Sequence, residues 1–393
     1  MEKRRLWNRS FAQLFCIELA LQFGLYLVRP IVANYSVSLG ASMTLAGFFS
    51  GLLATTALLM RPFSGRISDA FSKKSLLVIS SAFFTVSAFG CSICHTLLPL
   101  GVLISLQGFA FAFKSTVVVS MARLIVPQEM VGRGVGWLGV AYTVSCALGP
   151  AAGSFVGGAV GYSGSFAVSA MLLFVGLVLS ATFKEPAKKD FSGWAERSSV
   201  EAKESCSSRK TLTSFFYMPV LSLTIVAGLL MATQGTTASF MLLIGEMRGI
   251  QGASVYFLVY SLATLAARPI AGRMSDTYGV KAVAVPMLAL AAIAPTALAF
   301  FDTITGIVVA GICMGLGQGS AYSAIQAESV RNVPYDQLGR AANTFYIGPD
   351  LGMGLGPVVS GFILQTWGIA PAFLFCAFLI IVSLVILLFR KSK

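Results

Sequence analysis

The stretch RPFSGRISDAF, from Arg61 to Phe71, decides the fold because nearly the same stretch returns as RPIAGRMSDTY, from Arg268 to Tyr278. Arg268 follows Arg61 by 207 positions, and six of the first nine positions of the two copies are identical. The sequence around each copy is apolar over long distances. A charged segment that recurs in matching surroundings indicates that the chain contains one structural unit twice.

Other features recur at the same separation of 207 residues, without a gap. They are Gly108 and Gly315, Pro127 and Pro334, Arg133 and Arg340, Gly149-Pro150 and Gly356-Pro357, Gly161 and Gly368, and Phe166 and Phe373. One such match means nothing by itself. Several at one constant offset predict the duplication of a unit of six helices.

The composition is that of an integral membrane protein. Of 393 residues, 56% are apolar and 11% are charged, with a mean hydropathy of +0.82, whereas a soluble domain has about 25% charged residues. Apolar runs of about 18 residues or more can cross a hydrocarbon core as helices, which satisfy their own backbone hydrogen bonds. We predict twelve spans, at roughly 10–32, 44–62, 75–94, 97–121, 136–158, 163–183, 216–240, 251–269, 282–301, 304–326, 341–363 and 368–389.

The net charge of +13 is distributed as in a membrane protein rather than as in a nucleic-acid-binding protein. If the amino terminus is cytoplasmic, all of the 28 Lys and Arg residues except Arg29, Lys114 and Arg248 fall in or beside cytoplasmic segments. Basic residues accumulate on the cytoplasmic side of membrane proteins. We therefore expect a multi-pass protein of the cell membrane with both termini in the cytoplasm, and no nucleic-acid partner.

A polar segment divides the apolar sequence nearly in half. Residues 184–211 are rich in Ser and in charges of both signs, which is typical of a solvated cytoplasmic linker. We predict a six-helix bundle on each side of it, at residues 1–183 and 212–393. Two parallel repeats joined in this way are typical of secondary transporters, whose substrate site lies between the repeats.

Neither a metal nor a cofactor is predicted. The seven cysteines are scattered through the spans, as expected of small packing residues. CSICH, from Cys91 to His95, has the form of a haem attachment site, but the chain has one His and no second axial ligand is evident. Since no nucleophile with its base, metal-ligand cluster or phosphate loop is evident either, we predict that the protein is not an enzyme.

The repeated segment carries a motif of a known family. The motif positions are Gly65, Asp69, Lys73 and Lys74 in the first copy, and Gly272, Asp276, Gly279 and Lys281 in the second. They resemble the signature of the major facilitator superfamily, GxxxD followed by basic residues, although Ala70 and Ser72 replace a basic residue and a Gly. The resemblance covers essentially the whole chain. It implies an all-helical membrane fold of twelve transmembrane helices in two pseudo-symmetric bundles, as in twelve-helix bacterial exporters of drugs and metabolites.

This motif predicts a gate on the cytoplasmic side. Asp69 is expected to contact the positive amino-terminal end of span 11, near Arg340, and Asp276 the equivalent end of span 5, near Arg133. Such contacts between the halves would favour an outward-facing state. The alternative is that both acidic residues only end helices and set the topology.

A second family motif falls in span 5, where Gly136, Gly149, Pro150 and Gly153 match. Family members with this motif are mostly antiporters that export their substrate. Tight helix packing by small residues, with a kink at Pro150, explains the same residues equally well. In span 4, Ile104 stands where a third family pattern has an Arg, so proton coupling does not transfer from that position.

Four ionisable side chains are predicted at membrane depth, where each is costly and therefore a functional candidate. They are Glu18, Arg29, Lys114 and Asp350, and their formal charges sum to zero. Helical spacing places Glu18, Gln22, Tyr26 and Arg29 on one face of span 1. Comparable polar stripes are Gln318, Tyr322 and Gln326 in span 10, and Asn343, Tyr346 and Asp350 in span 11. The family resemblance implies that Glu18, Lys114 and Gln318 converge in a substrate cavity.

Glu18 and Asp350 are candidate proton carriers, because a carboxyl group in a partly dry cavity can exchange protons near neutral pH. We favour Glu18. Alternatively, Lys114 forms a permanent ion pair with either carboxylate, and Arg29 reaches out to the lipid headgroups. A buried Lys beside acids favours an anionic or zwitterionic substrate, unless pairing cancels its charge.

We predict a secondary active transporter that exports a small organic solute in exchange for protons by alternating access. The alternative is a proton-coupled importer or facilitator of a small anionic or zwitterionic metabolite, since the fold does not determine the direction. The expected partners are the solute, protons and the lipid bilayer, and the expected state is a monomer.

Overall fold

The computed structural model describes residues 7–126, 131–184, 217–331, 333 and 338–390, and these residues fold almost entirely into helices. The helices are α1 (Arg9–Val28), α2 (Ile31–Ser38), α3 (Met43–Ala70), α4 (Lys73–Ser92), α5 (Leu97–Ile125), α6 (Val131–Thr182), α7 (Leu221–Met247), α8 (Val255–Tyr278), α9 (Val280–Phe300), α10 (Ile304–Arg331), α11 (Leu338–Trp367) and α12 (Ile369–Phe389). A short 3₁₀ helix, Met218–Val220, leads into α7.

The helices account for the twelve predicted membrane spans. Ten helical stretches of the described residues are long and apolar enough to cross a bilayer. One of them, Trp137–Thr182 with 46 residues, contains two predicted spans, which are divided at Gly161. The apolar part of α8, Val255–Arg268, is shorter. Helices α1 and α2 together form the first span, which is interrupted at Pro30 because proline has no backbone N–H to donate.

Local sequence explains where helices begin. The side chain of Asn8 accepts a hydrogen bond of 2.8 Å from the backbone N–H of Phe11, as an N-cap residue does. Gly279 precedes α9 with φ of 83°, a left-handed conformation that glycine adopts at little cost. Such signals end one helix and start the next within a few residues, so consecutive spans run antiparallel.

The two halves of the structure repeat each other at the offset seen in the sequence. Gly161 and Gly368, 207 positions apart, both break the helical path with positive φ, 73° and 89°. A Cβ atom on Gly108 would collide with the carbonyl oxygen of Leu53, and one on Gly315 with that of Tyr260, which again lies 207 positions later. Helices α1–α6 and α7–α12 thus form two pseudo-symmetric bundles, called here the first and second halves.

Each half has an apolar core of its own. Leu14 and Phe84 are fully buried in the first half, as are Leu230 and Leu288 in the second. Other large apolar side chains face outward, and Phe155, for example, is 80% exposed. An apolar outer surface is expected where lipid tails are the solvent.

The halves meet where α3 packs along α11, α6 contacts α8, and α2 contacts α7. We call the end of the bundle where α1 begins the terminal face, and the opposite end, where α3 begins, the far face. Toward the far face α3 and α11 approach closely, since a Cβ atom on Gly51 would collide with the carbonyl oxygen of Gly354. Thr44 Oγ1 also donates to Gln365 Oε1 at 2.8 Å. These contacts close the α3–α11 interface toward the far face.

Most of the predicted cytoplasmic gate lies outside the residues whose side chains the structure describes. These positions are Gly65, Asp69, Arg133, Gly272, Asp276 and Arg340, and the linker predicted at 184–211 is described only at Lys184. The contacts predicted for Asp69 and Asp276 therefore remain predictions. Lys73 and Lys74 are described, and they form the first turn of α4.

Candidate functional site

A cavity of about 450 Å³ lies between the two halves, and helices of both halves line it. It extends from the middle of the bundle toward the terminal face. The eight residues that the sequence predicts in a substrate cavity all line it: Glu18, Gln22, Tyr26, Arg29, Lys114, Gln318, Tyr322 and Asp350. Side chains that share one face of a span in the sequence therefore meet in one cavity.

A buried ion pair joins α1 to α5 at the cavity wall. Lys114 Nζ lies 2.8 Å from Glu18 Oε1, and Gln22 Nε2 donates to the same oxygen at 2.9 Å. Lys114 is fully buried and Glu18 is 6% exposed. The second carboxylate oxygen of Glu18, Oε2, is buried without a hydrogen-bond partner among the described protein atoms. Glu18 therefore keeps one acceptor free for a proton or for a donor group of a bound solute.

A second ion pair crosses between the halves. Arg61 on α3 binds Asp350 on α11 with two hydrogen bonds, from Nε to Oδ2 and from Nη2 to Oδ1, the latter 3.1 Å long. The guanidinium carbon of Arg61 also lies 5.7 Å from the centre of the Tyr346 ring. Both carboxylate oxygens of Asp350 are thus occupied, and Lys114 pairs with Glu18 rather than with Asp350.

Arg29 contacts neutral groups of both halves. Its Nη1 donates to the hydroxyl of Tyr26 at 3.0 Å, and that hydroxyl donates to the hydroxyl of Tyr142 at 2.9 Å. Its Nη2 lies 3.5 Å from the sulfur of Met353 on α11. The side chain therefore points into the protein, and the alternative in which it reaches the lipid headgroups is wrong for this structure.

Arg268 on α8 is the second cavity arginine without a carboxylate partner among the described residues. Its Nη1 donates to Thr143 Oγ1 on α6 at 3.0 Å, and its buried Nε has no hydrogen-bond partner. Arg61 and Arg268 both line the cavity, although in the sequence each stands at the end of an apolar run, where a membrane boundary is expected. The Arg-Pro pair that recurs at both positions is the sequence feature that could have indicated a shared role in the cavity.

Uncharged polar groups complete the wall in the second half. Gln318 Nε2 donates to the carbonyl oxygen of Leu230 at 3.0 Å, and it lies 3.4 Å from Gln234 Oε1. The rings of Tyr256 and Tyr260 are stacked, with centres 6.0 Å apart and an angle of 9° between their planes. Gln318, Gln234 and Tyr260 thus offer hydrogen bonds and aromatic surface, whereas the charges of this half are those of Arg268 and Asp350.

The charges in the cavity do not balance. Among the described residues that line it, the cations are Arg29, Arg61, Lys114 and Arg268, and the anions are Glu18 and Asp350. Two positive charges are therefore in excess. The four ionisable residues predicted at membrane depth sum to zero, and the excess comes from Arg61 and Arg268, which that prediction did not include.

The span 5 motif packs α6 against α1. A Cβ atom on Gly149 would lie 2.8 Å from Cβ of Tyr26, and one on Gly153 would collide with the carbonyl oxygen of Leu27. Pro150 lines a smaller pocket of about 40 Å³, which shares Arg29 with the main cavity. The motif thus allows the close packing of α6 on α1, the helices that carry Tyr142 and Tyr26.

A sequence model of the Major Facilitator Superfamily matches residues 14–259 and 250–393, which together span nearly the whole chain. The chain belongs to the Major Facilitator Superfamily. It is accordingly a multi-pass membrane transporter of small solutes and not an enzyme, and the cavity between its halves is the candidate substrate site.

Similar sequences carry transporter names. An uncharacterized MFS-type transporter of Methanocaldococcus jannaschii is 22% identical over 375 residues, which are 92% of this chain and 93% of the relative. Multidrug resistance protein MdtG of Klebsiella pneumoniae is 23% identical over 364 residues, which are 89% of this chain and 86% of the relative.

Solved structures of transporters share the fold. A POT family transporter in complex with 5-aminolevulinic acid superimposes with a TM-score of 0.77 at 12% identity, covering 97% of this chain and 95% of that one. The nucleoside transporter NupG superimposes with a TM-score of 0.74 at 16% identity, covering 98% of this chain and all of NupG. At these identities the likeness concerns the fold alone.

Proposed function

We propose that this protein exports a small organic solute in exchange for protons, by alternating access of the cavity to the two sides of the cell membrane. The proposal rests on the difference between the two carboxylate oxygens of Glu18. One of its oxygens is held by Lys114 and Gln22, while Oε2 has no hydrogen-bond partner among the described protein atoms. A buried acid with a free oxygen can bind either a proton or a hydrogen-bond donor of a solute.

Exchange follows if the proton and the solute compete for Glu18. A solute that donates a hydrogen bond or presents a cationic group to Oε2 stabilises the ionised carboxylate and so expels the proton. Protonation removes the charge of Glu18, weakens its bond to Lys114 and disfavours that solute. The proton-loaded and the solute-loaded states then change conformation in opposite directions, so that the proton and the solute cross the membrane oppositely, as antiport requires.

Asp350 is better suited to holding the halves together than to carrying protons. Its two oxygens are both bound by Arg61 of the opposite half, so protonation would have to break a bidentate bond first. We infer that this ion pair opens and closes as α3 and α11 move. The contacts predicted for Asp69 with Arg340 and for Asp276 with Arg133 would then close the terminal face when the far face opens.

Further features support export as the direction. Relatives that include MdtG of Klebsiella pneumoniae are named multidrug resistance proteins, and the span 5 motif resembles that of exporting antiporters. The distribution of basic residues along the sequence favours a cytoplasmic position for the terminal face. In this scheme the protein is a monomer of two units, residues 1–183 and 212–393. The two units rock relative to each other about the cavity, and the linker at 184–211 stays cytoplasmic.

The proposal is tested in proteoliposomes that contain a pH-sensitive dye. The lumen is made acidic, and a panel of organic cations, anions and zwitterions is screened. The solutes sought are those whose uptake releases protons from the lumen. For a solute found in this way, Glu18→Gln should abolish the dependence on the gradient, because the amide binds no proton at neutral pH. The matched control is Glu328→Gln, since Glu328 lies 3.7 Å from Arg390 at the terminal face and outside the cavity. Gradient-driven transport that persists in Glu18→Gln would disprove the coupling role.

Import is the second candidate, and the excess of positive charge in the cavity favours it. An anion bound near Lys114 would compete with Glu18 for the ammonium group and would favour protonation of Glu18. Solute and proton would then bind together and travel in the same direction. The sign of the proton change on solute binding decides between the two functions, since release indicates antiport and uptake indicates symport.

A further inference from the structure

The pseudo-symmetry of the halves relates two arginine contacts that differ in one respect. Arg268 is the equivalent of Arg61, and Thr143 is the equivalent of Asp350, each 207 positions apart. The structure keeps both contacts, because Arg61 binds Asp350 and Arg268 donates to Thr143. One arginine therefore faces a carboxylate, while its counterpart faces a neutral hydroxyl in the same relative position.

The charge of Arg268 is left without compensation by this difference. Its Nε is buried and has no hydrogen-bond partner, and no carboxylate among the described residues lies within salt-bridge distance of it. Arginine stays charged in proteins, so it cannot lower the cost of burial by losing its proton. Charged groups at membrane depth pair with one another or serve transport. Arg268 thus lacks the kind of partner that Arg61 has.

Arg29 has the same deficit in the same part of the cavity. Its described partners, Tyr26 and Met353, are neutral. The two arginines are connected through adjacent residues of α6, since Tyr26 bonds to Tyr142 and Arg268 bonds to Thr143. Cys146, one turn further along α6, lines the same cavity together with both arginines. The two excess positive charges of the cavity therefore lie around one short segment.

We propose that Arg268, together with Arg29, binds an oxyanion group of the transported solute. The oxyanion pairs with Arg268 as the carboxylate of Asp350 pairs with Arg61. A planar guanidinium group presents paired N–H donors that match a carboxylate, phosphate or sulfonate. The substrate class is then an organic acid or a zwitterion rather than a lipophilic cation. This inference rests on the proposed transport function, because the ligand is the transported solute. A zwitterion would also supply the donor that Glu18 Oε2 lacks.

The repeat itself supplies the variant that tests the site. Thr143→Asp places a carboxylate opposite Arg268, as Asp350 stands opposite Arg61, so the variant should fold and should fill the anion site from within. Thr143→Asn adds similar bulk without the charge. A difference between the two variants therefore reports the charge and not the size of the side chain. Arg268→Gln, which removes the guanidinium group, is the second way to abolish the site.

Sulfate is the probe, and the full-length protein in a nonionic detergent without anionic lipid is the sample. Thermal unfolding is followed while sodium sulfate replaces sodium chloride at constant ionic strength. The wild type should be stabilised in a saturable way, and Thr143→Asp should need at least roughly tenfold more sulfate, since two charge-assisted hydrogen bonds are lost. Thr143→Asn should weaken sulfate binding much less. Equal sulfate responses in the Asp and Asn variants, or no saturable response in the wild type, would overturn the proposal.

A second arm distinguishes a solute from a lipid headgroup, which offers the same oxyanion chemistry. Phosphatidylglycerol is added in place of sulfate, and sulfate is then titrated against it. Stabilisation by the lipid that depends on Arg268 and that sulfate fails to reverse would identify a lipid site and overturn the assignment to a solute. Neither arm measures proton movement, so failure of the antiport proposal leaves this result intact, and the reverse also holds.

Discussion

The ammonium group of Lys114 is fully buried, and its carboxylate partner is Glu18, 2.8 Å away. Removing one member of a buried pair costs about 3–5 kcal/mol because the remaining charge is left unpaired, whereas replacing both members costs far less. We therefore expect Lys114→Met to lower the thermal stability strongly, and Lys114→Met combined with Glu18→Gln to recover most of the loss. The unfolding midpoints of the purified variants, compared as a double-mutant cycle, measure this coupling.

The control for this cycle is a lysine at the surface. Lys281 Nζ donates to the carbonyl oxygen of Leu388 at 2.8 Å at the terminal face. Lys281 is only partly buried and its described partner is a neutral carbonyl group, so Lys281→Met should lower the midpoint far less than Lys114→Met does. If the Lys114 single variant and the double variant were equally unstable, the loss would come from packing and not from an unpaired charge.

The partners of the buried charges could be predicted only in part. Helical spacing in the sequence places Glu18, Gln22 and Tyr26 on one face, and the structure has them on one cavity wall. Whether Lys114 pairs with Glu18 or with Asp350 depends on how α5 and α11 are rotated about their axes. Apolar patterning does not determine that rotation, because membrane helices are apolar on most sides.

At the scale of helices, the close approach of α3 and α11 toward the far face depends on Gly51, which has no side chain. A Cβ atom on Gly51 of α3 would collide with the carbonyl oxygen of Gly354 on α11, so Gly51→Ala should push the two helices apart. We expect this variant to favour states that are open at the far face. Labelling of a cysteine introduced at Thr55, whose hydroxyl lies beside Gly354, by an impermeant maleimide applied from the far face measures the opening.

Gly158 offers the matched control for this substitution. A Cβ atom added there would meet no other atom within 4 Å, so Gly158→Ala should have no effect on labelling or a slight stabilising one, as replacement of an unhindered helical glycine does. Labelling at Thr55 that rises equally in both variants, or in neither, would speak against Gly51 as the contact that closes the interface.

The helices themselves were predictable, and their ends were less so. Long apolar runs and the repeat predict every span, because length and hydrophobicity dominate insertion into lipid. The prediction ended span 2 near residue 62, whereas α3 continues to Ala70. This continuation carries Arg61 inside the bundle, and the equivalent extension of α8 to Tyr278 does the same for Arg268. A charged residue after an apolar run looks like a membrane boundary when the opposite half that shields it is not considered.

At the scale of the whole molecule, alternating access requires that contacts between the halves break while contacts within a half persist. Thr44 on α3 and Gln365 on α11 bond across the halves at 2.8 Å near the far face. Gln13 on α1 and Thr182 on α6 bond within the first half at 3.2 Å. These two contacts are of the same kind but differ in whether rocking of the halves must separate them.

Cysteine pairs at these positions therefore distinguish rocking of rigid halves from a local opening. In a protein whose seven native cysteines have been replaced, oxidation of the Thr44→Cys/Gln365→Cys pair should stop transport of the solute found in the proteoliposome screen, and a reductant should restore it. Oxidation of the Gln13→Cys/Thr182→Cys pair should leave transport largely intact, because both residues move with the same half. Transport that survived complete cross-linking of the first pair would mean that the far face opens elsewhere. Loss of transport with the second pair would mean that the first half deforms during the cycle and does not move as one body.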